Sequence, residues 1–219
     1  MIRVLLADDE AMIRAGVRAI LATDSGIEVV AEAADGREAV ELARSHRPDV
    51  ALLDIRMPRL DGLGAVAELR RAVPDTAVVM LTTFGEDEYI ARALGDGAAG
   101  FLLKAGDPRE LIAGVRAVAD GGAYLSPRVA RRVIAELNQG GLSRRTEART
   151  RVDALTGRER EVLALVGTGL SNAQIARRLH LVEGTVKAYV SAVFTRLGVR
   201  NRVQAAILAY EAGLVEGTP

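Results

Sequence analysis

Three carboxylates stand at the ends of two short apolar runs in the first half of the chain: Asp8 and Asp9 follow Ile2–Ala7, and Asp54 follows Val50–Leu53. Two later runs, Ala77–Leu81 and Gly100–Leu103, end in Thr82 and Lys104. In open α/β sheets, ligands bind beyond the carboxyl ends of the strands, where the connections reverse direction. With the first and third strands adjacent, the three carboxylates share one crevice; unneutralised, they repel one another and drive their pKa values up. A hard divalent cation relieves that repulsion, and oxygen-only ligands favour Mg²⁺ over zinc. A hydroxyl and an ammonium facing such a centre are what a phosphoryl group on an aspartate needs. Singly these residues say little, since a lone strand-end Asp is more often a cap or turn former. Their joint placement at the ends of strands one, three, four and five carries the reading. Of 29 cationic side chains only Lys104 and Lys187 are lysines, consistent with a need for a compact point charge at those positions.

The elements that must position these groups follow from periodicity. Five β-branched, apolar runs (the four above and Ile27–Ala31) alternate with amphipathic stretches at Ala11–Ala22, Gly36–Arg44, Gly62–Ala72, Glu86–Asp96 and Pro108–Ala119. The pattern predicts a doubly wound α/β domain, a five-stranded parallel sheet with helices on both faces, over residues 1–120. Gly121-Gly122 ends the last helix, and Pro127 starts another near 128–137. Asn138-Gln139-Gly140-Gly141 then leads into Leu142–Val152, whose arginines 144, 145, 149 and 151 read as a flexible basic linker rather than a phosphate-contacting element. Residues 121–150 are thus a linker, and 151–215 an all-α domain of four short helices. Thr156 with Glu159 and Ser171 with Gln174 have capping-box spacing, and Asn201 with Gln204 repeats the layout. Val186, Val190, Val193 and Leu197 share one helical face, leaving Lys187, Ala188, Ser191 and Thr195 on or near the outer one. Helices 171–178 and 184–197 have helix-turn-helix proportions, with Arg177, Arg178, Arg196, Arg200 and Arg202 around them. Such a surface suits the major groove, the alternative being a solvated basic helix.

Composition narrows the field. Without cysteine there are no disulfides, thiolate metal sites or cysteine nucleophile, and two distant histidines disfavour zinc. Aromatics at 3% disfavour base-stacking readers of single strands. There is no signal-like start and no apolar run near the ~20 residues that span a bilayer, so a soluble, cytoplasmic protein without a membrane partner is expected. The formal charge of zero hides an acidic half, 21 acids against 14 bases through Asp120, and a basic half, 8 acids against 15 bases thereafter. The second half suits a polyanionic partner.

Leu5-Leu6-Ala7-Asp8-Asp9, Leu52-Leu53-Asp54-Ile55-Arg56-Met57-Pro58, Asp61-Gly62, Leu81-Thr82-Thr83 and Gly100-Phe101-Leu102-Leu103-Lys104 resemble the receiver domain of two-component response regulators. The resemblance implies a CheY-like sheet of order 2-1-3-4-5, with Asp54 accepting a phosphoryl group from a sensor histidine kinase. It implies Mg²⁺ on Asp8, Asp9, Asp54 and the Arg56 backbone carbonyl, and phosphoryl oxygens bound by Thr82 and Lys104. Phe101 takes the switch-aromatic position, where many relatives have Tyr; phosphorylation is expected to draw Thr82 and Phe101 inward. Haloacid-dehalogenase-type phosphatases share a strand-end Asp, Thr, Lys and Mg²⁺. They need an acidic proton donor two residues beyond the nucleophile, and here that position is Arg56.

Leu155 through Leu163, Gly169-Leu170-Ser171-Asn172, Ile175-Ala176, Thr185-Val186-Lys187 and Arg196 through Arg202 resemble the LuxR-type DNA-binding domain. This implies readout of double-stranded promoter DNA by Lys187, Ala188 and Ser191, with Asn172, Thr185, Arg196 and Arg200 completing the contact surface. Val182 stands where relatives place a Ser N-cap, and Tyr189 replaces the usual His. Together the resemblances imply a NarL/FixJ-type regulator, homodimeric when phosphorylated, with RNA polymerase as a further partner. They imply no enzyme beyond self-catalysed phosphoryl transfer to Asp54 and autodephosphorylation. The competing expectation is a phosphorylation-independent regulator whose receiver serves as a protein-interaction module.

Overall fold

The computed structural model describes residues 1–82, 88–138 and 141–215. Thr83, Glu86, Gln139 and Gly140, named in the expected strand-four motif, fourth helix and linker, lie outside the described residues. The chain divides into two compact units, Met1–Ala119 with Tyr124–Arg132, and Asp120–Ala123 with Val133–Pro219.

In the first unit β1 (Ile2–Ala7), β2 (Ile27–Ala33), β3 (Val50–Asp54), β4 (Ala77–Thr82) and β5 (Gly100–Leu103) alternate with α1 (Ala11–Leu21), α2 (Gly36–His46), α3 (Gly62–Ala72), α4 (Glu88–Asp96) and α5 (Pro108–Ala119). All strand pairs are parallel, in the order β2-β1-β3-β4-β5, with a sixth strand, β6 (Tyr124–Leu125), beyond β5. The five-stranded expectation is corrected by this short edge. Gly100 admits it: a Cβ there would lie 2.6 Å from the Tyr124 carbonyl oxygen. The central strands are apolar throughout because both faces are covered. Val4, Leu6, Leu52, Val79 and Leu102 pack with Val17 and Leu21 of α1 and Leu111 and Val115 of α5. The alternate residues Leu5, Leu53 and Met80 are fully buried toward the opposite layer.

The second unit contains α7 (Gly141–Val152), α8 (Gly157–Gly167), α9 (Asn172–Leu179), α10 (Glu183–Leu197) and α11 (Arg202–Glu211); α6 (Pro127–Asn138) precedes them. The segment expected as a flexible basic linker is therefore helix α7. Its arginines lie on the polar side, while Ala148 and Val152 enter the helical core with Val162, Leu163, Ile175 and Leu208. Both capping boxes form, Thr156–Glu159 on α8 and Ser171–Gln174 on α9. At α11 the Asn201 side chain accepts from the Gln204 N–H at 2.8 Å, and the Gln204 side-chain oxygen accepts from the Arg200 N–H at 2.7 Å. The inner face of α10 is as the spacing predicts, with Val186, Val190, Val193 and Leu197 all buried. Among the described residues no helix is long and apolar enough to cross a membrane.

Val182 occupies the N-cap of α10 in extended backbone, makes no side-chain cap hydrogen bond, and is 72% exposed. Val182→Ser supplies the missing acceptor without removing core. The unfolding transition of the helical unit should shift upward by about 1 kcal/mol in urea; an unchanged midpoint would show that water already caps this end equally well.

Candidate functional site

At the carboxyl edge of the sheet, Asp54 ends β3 and Thr82 ends β4, while Asp8 and Lys104 come one residue after β1 and β5. The fold thus converges residues up to 96 positions apart. Lys104 Nζ lies 2.7 Å from Asp8 Oδ2 and 2.8 Å from Asp54 Oδ1, with all three side chains nearly enclosed. Asp8 is fixed from its own turn: Oδ1 accepts from the Glu10 N–H at 3.0 Å, and the Arg14 guanidinium donates to its backbone carbonyl at 2.6 Å. Asp9 lines an open cleft of about 400 Å³, lined also by Arg56, Met57, Pro58, Asp61 and Tyr89. The Arg56 guanidinium stands over the Tyr89 ring, 5.8 Å from its centroid.

One carboxylate oxygen from each of Asp8, Asp9 and Glu10 lie within 4.8 Å of one another. That oxygen-only set fits a hard divalent cation. Glu10 is the member that the motif-based reading omitted, although it adjoins Asp8-Asp9 in the chain. Asp54 is not part of this trio. Thr82 and Phe101 are both buried, at 4% and 0% exposure.

On the helical unit, Lys187, Ala188 and Ser191 are exposed along one side of α10, with Thr185 partly exposed at its start. Arg177, Arg178 and Arg200 are exposed nearby. Lys187 pairs within its helix with Glu183 at 3.4 Å. Two expected contact residues have structural partners. Asn172 is buried, its Oδ1 accepting from the buried Arg202 guanidinium at 3.0 Å, so it offers no free edge to DNA. Arg196 pairs at 3.1 Å with Glu159, the acid of the α8 capping box, and so ties α10 to α8.

Residues 4–116 match the response regulator receiver domain family, and residues 153–209 match the luxR family of bacterial regulatory proteins. The chain belongs to the NarL/FixJ-type response regulators. It is 38% identical to the transcriptional regulatory protein DegU of Brevibacillus brevis, covering 98% of this chain and 95% of that one. It is 35% identical to the response regulator protein VraR of Staphylococcus aureus, covering 98% and 99%. The crystal structure of ChrA, a response regulator of a heme-sensing two-component system, is similar at 35% identity, with a TM-score of 0.54 and 98% coverage of both chains. The receiver implies a histidine kinase partner and the helix-turn-helix implies DNA; these are transcription regulators rather than classical enzymes.

In this response regulator the electrostatics of Asp54 are set by depth. Burial pushes its pKa from 3.8 up to about 6, against the hydrogen bond and charge of Lys104, which pull it down; the nearby Asp8 charge adds to the rise. Burial works to lower the Lys104 pKa, but its hydrogen bonds to Asp54 and Asp8, and their charges, raise it above the ordinary lysine value. A carboxylate with a raised folded-state pKa stabilises the fold below its unfolded pKa and loses that contribution as pH rises through the folded value. Neutral Asn in place of Asp54 avoids the loss. In metal-free buffer, Asp54→Asn should therefore exceed wild type in urea stability by about 2–3 kcal/mol at pH 8. The gap should narrow by about half at pH 5. A gap that widens toward pH 5 would contradict this account.

Proposed function

We propose that this chain is a phosphorylation-controlled transcription regulator, with Asp54 as the phosphoacceptor. The observation that supports this best is the Lys104 ammonium held between Asp8 and Asp54, which places a cation beside the oxygen where negative charge must accumulate. An Asp54 oxygen attacks the phosphorus of a kinase phosphohistidine. The P–O bond forms as the P–N bond breaks, and the imidazole leaves with the electron pair and takes up a proton. Lys104 then pairs with the phosphoryl oxygens, and the Thr82 hydroxyl donates to them. Asp8, Asp9, Asp54 and the Arg56 carbonyl would hold Mg²⁺, which when bound neutralises charge on the transferring group. Return to the resting state is self-catalysed attack of water on the acyl phosphate.

Phosphorylation exchanges the Lys104–Asp54 ion pair for a group of higher charge. That change favours a homodimer suited to half-sites about one helical turn apart. On DNA, Lys187 donates to base edges in the major groove with Ala188 and Ser191 beside it, while Thr185 and Arg200 contact the backbone. Few long polar side chains face the groove, so DNA shape contributes to selectivity.

Wild type should take label from a phosphorylated sensor histidine kinase, and from acetyl phosphate in Mg²⁺, while Asp54→Asn takes none and does not gain DNA affinity. Equal labelling and equal DNA binding by the two proteins would overturn the switch. Lys187→Ala should weaken operator binding at least about tenfold, in keeping with one lost base contact. Intact footprints with that variant would remove Lys187 from the reading surface.

A further inference from the structure

The connection that follows Asp54 carries Arg56 and lines the cleft beside Asp9, yet most of it is irregular backbone. Something must hold it. At its centre, Arg59 adopts φ +63, and the Leu60 N–H bonds to the Pro58 carbonyl at 2.7 Å across it. A three-residue turn with positive φ at a non-glycine residue is strained and persists only when its surroundings compensate.

The compensation comes from the start of α2. Asp35 is fully buried. Its Oδ1 accepts from the Arg37 and Glu38 N–H groups at 2.7 and 3.0 Å, which is an ordinary helix cap. Its Oδ2, equally enclosed, is ion-paired with the Arg59 guanidinium. A cap needs only one oxygen and Asn serves as well, so the cap alone does not account for a second buried, charged oxygen facing a cation. Next to it, the Gly36 N–H donates to the Leu60 carbonyl at 3.0 Å, and a Cβ on Gly36 would lie 2.5 Å from that oxygen.

We propose that Asp35 is a positioning residue for the phosphoacceptor site. Through Arg59, and with the adjoining Gly36–Leu60 hydrogen bond, it holds the connection after Asp54 in the arrangement that binds the divalent cation. The inference rests on the reading of Asp54 and its acidic neighbours as a Mg²⁺-dependent phosphoacceptor.

The test is calorimetric titration of the full chain with Mg²⁺ alone, for wild type, Asp35→Asn, Arg59→Asn, the double variant and Arg59→Lys. Asn retains the cap at position 35 and tolerates the left-handed backbone at position 59. Each single Asn variant should weaken Mg²⁺ binding about tenfold, the scale at which groups supporting metal ligands act. The double variant should be no weaker than either single, because one contact is lost in all three, and Arg59→Lys should recover part of the affinity. If Asp35→Asn fails to fold, Arg59→Asn on its exposed side chain decides the matter. A purely structural role would lower the unfolding temperature while leaving the folded protein's Mg²⁺ affinity unchanged, and that result overturns the proposal. Wild type that neither binds Mg²⁺ nor takes label from acetyl phosphate removes the phosphoacceptor reading and this inference together. Wild type that binds Mg²⁺ with an affinity shared by every variant removes the inference alone.

Discussion

A single ammonium bonded to two carboxylates organises the receiver. Asp8 and Asp54 belong to neighbouring strands, and their repulsion in a buried setting would open the carboxyl edge of the sheet. Lys104 neutralises them from β5, reaching past the end of β4 to do so. Strands lie about 4.8 Å apart, so β5 stands two spacings from β3 and three from β1, a span that the lysine stem and the aspartate side chains cross together. The strand order is therefore a condition of the chemistry. The crossover helices, the close approach of Gly62 to the Asp54 carbonyl, and the turn held by Asp8 and Arg14 serve the same convergence.

The helical unit solves a different problem. A basic surface must face DNA without its charges collapsing onto the protein's own carboxylates. Part of the positive charge is spent on structure: Arg196 on Glu159, Arg202 on Asn172 and the Leu170 carbonyl, and Arg158 on Glu161. Arg177, Arg178, Arg200 and Lys187, the last paired with Glu183, keep exposed side chains, Lys187 on the side of α10 that its buried valines leave outward. The excess of 15 bases over 8 acids thus overstates what is available for phosphates. It reads better as two populations, one binding helices together and one left on the surface.

What the sequence discloses and what it hides follow from range. Capping boxes and the valine face of α10 are local, three to eleven residues in extent, and both appear as the spacing requires. Helix α7 is hidden because, among its described side chains, Ala148 and Val152 mark its buried side, and an i, i+4 pair amid arginines does not stand out from a polar tether. Strand β6 is hidden because two residues carry no period, and its pairing depends on the missing Cβ of Gly100. The burial of Asn172 depends on Arg202, thirty positions away, and no local pattern separates it from a solvent-facing residue. The motif at Asp8, Asp54, Thr82 and Lys104 escapes this limit only because strand ends are themselves legible and parallel topology brings them to one edge.

The lysine at position 104 also has a reason in this geometry. Nearly every other cation in the chain is arginine, so the exception is not one of supply. The Lys104 side chain is 6% exposed, and the two carboxylate oxygens beside it are at 2.7 and 2.8 Å. An ammonium has three donors, and this pocket occupies two of them while leaving one for a third oxygen. A guanidinium brings five donors in a rigid plane, and several would be buried without acceptors at a cost of about 1–3 kcal/mol each. Its planar fork would also match one carboxylate bidentately rather than two carboxylates at once. A site that bonds one cation to two acids at once favours a point charge on a flexible stem.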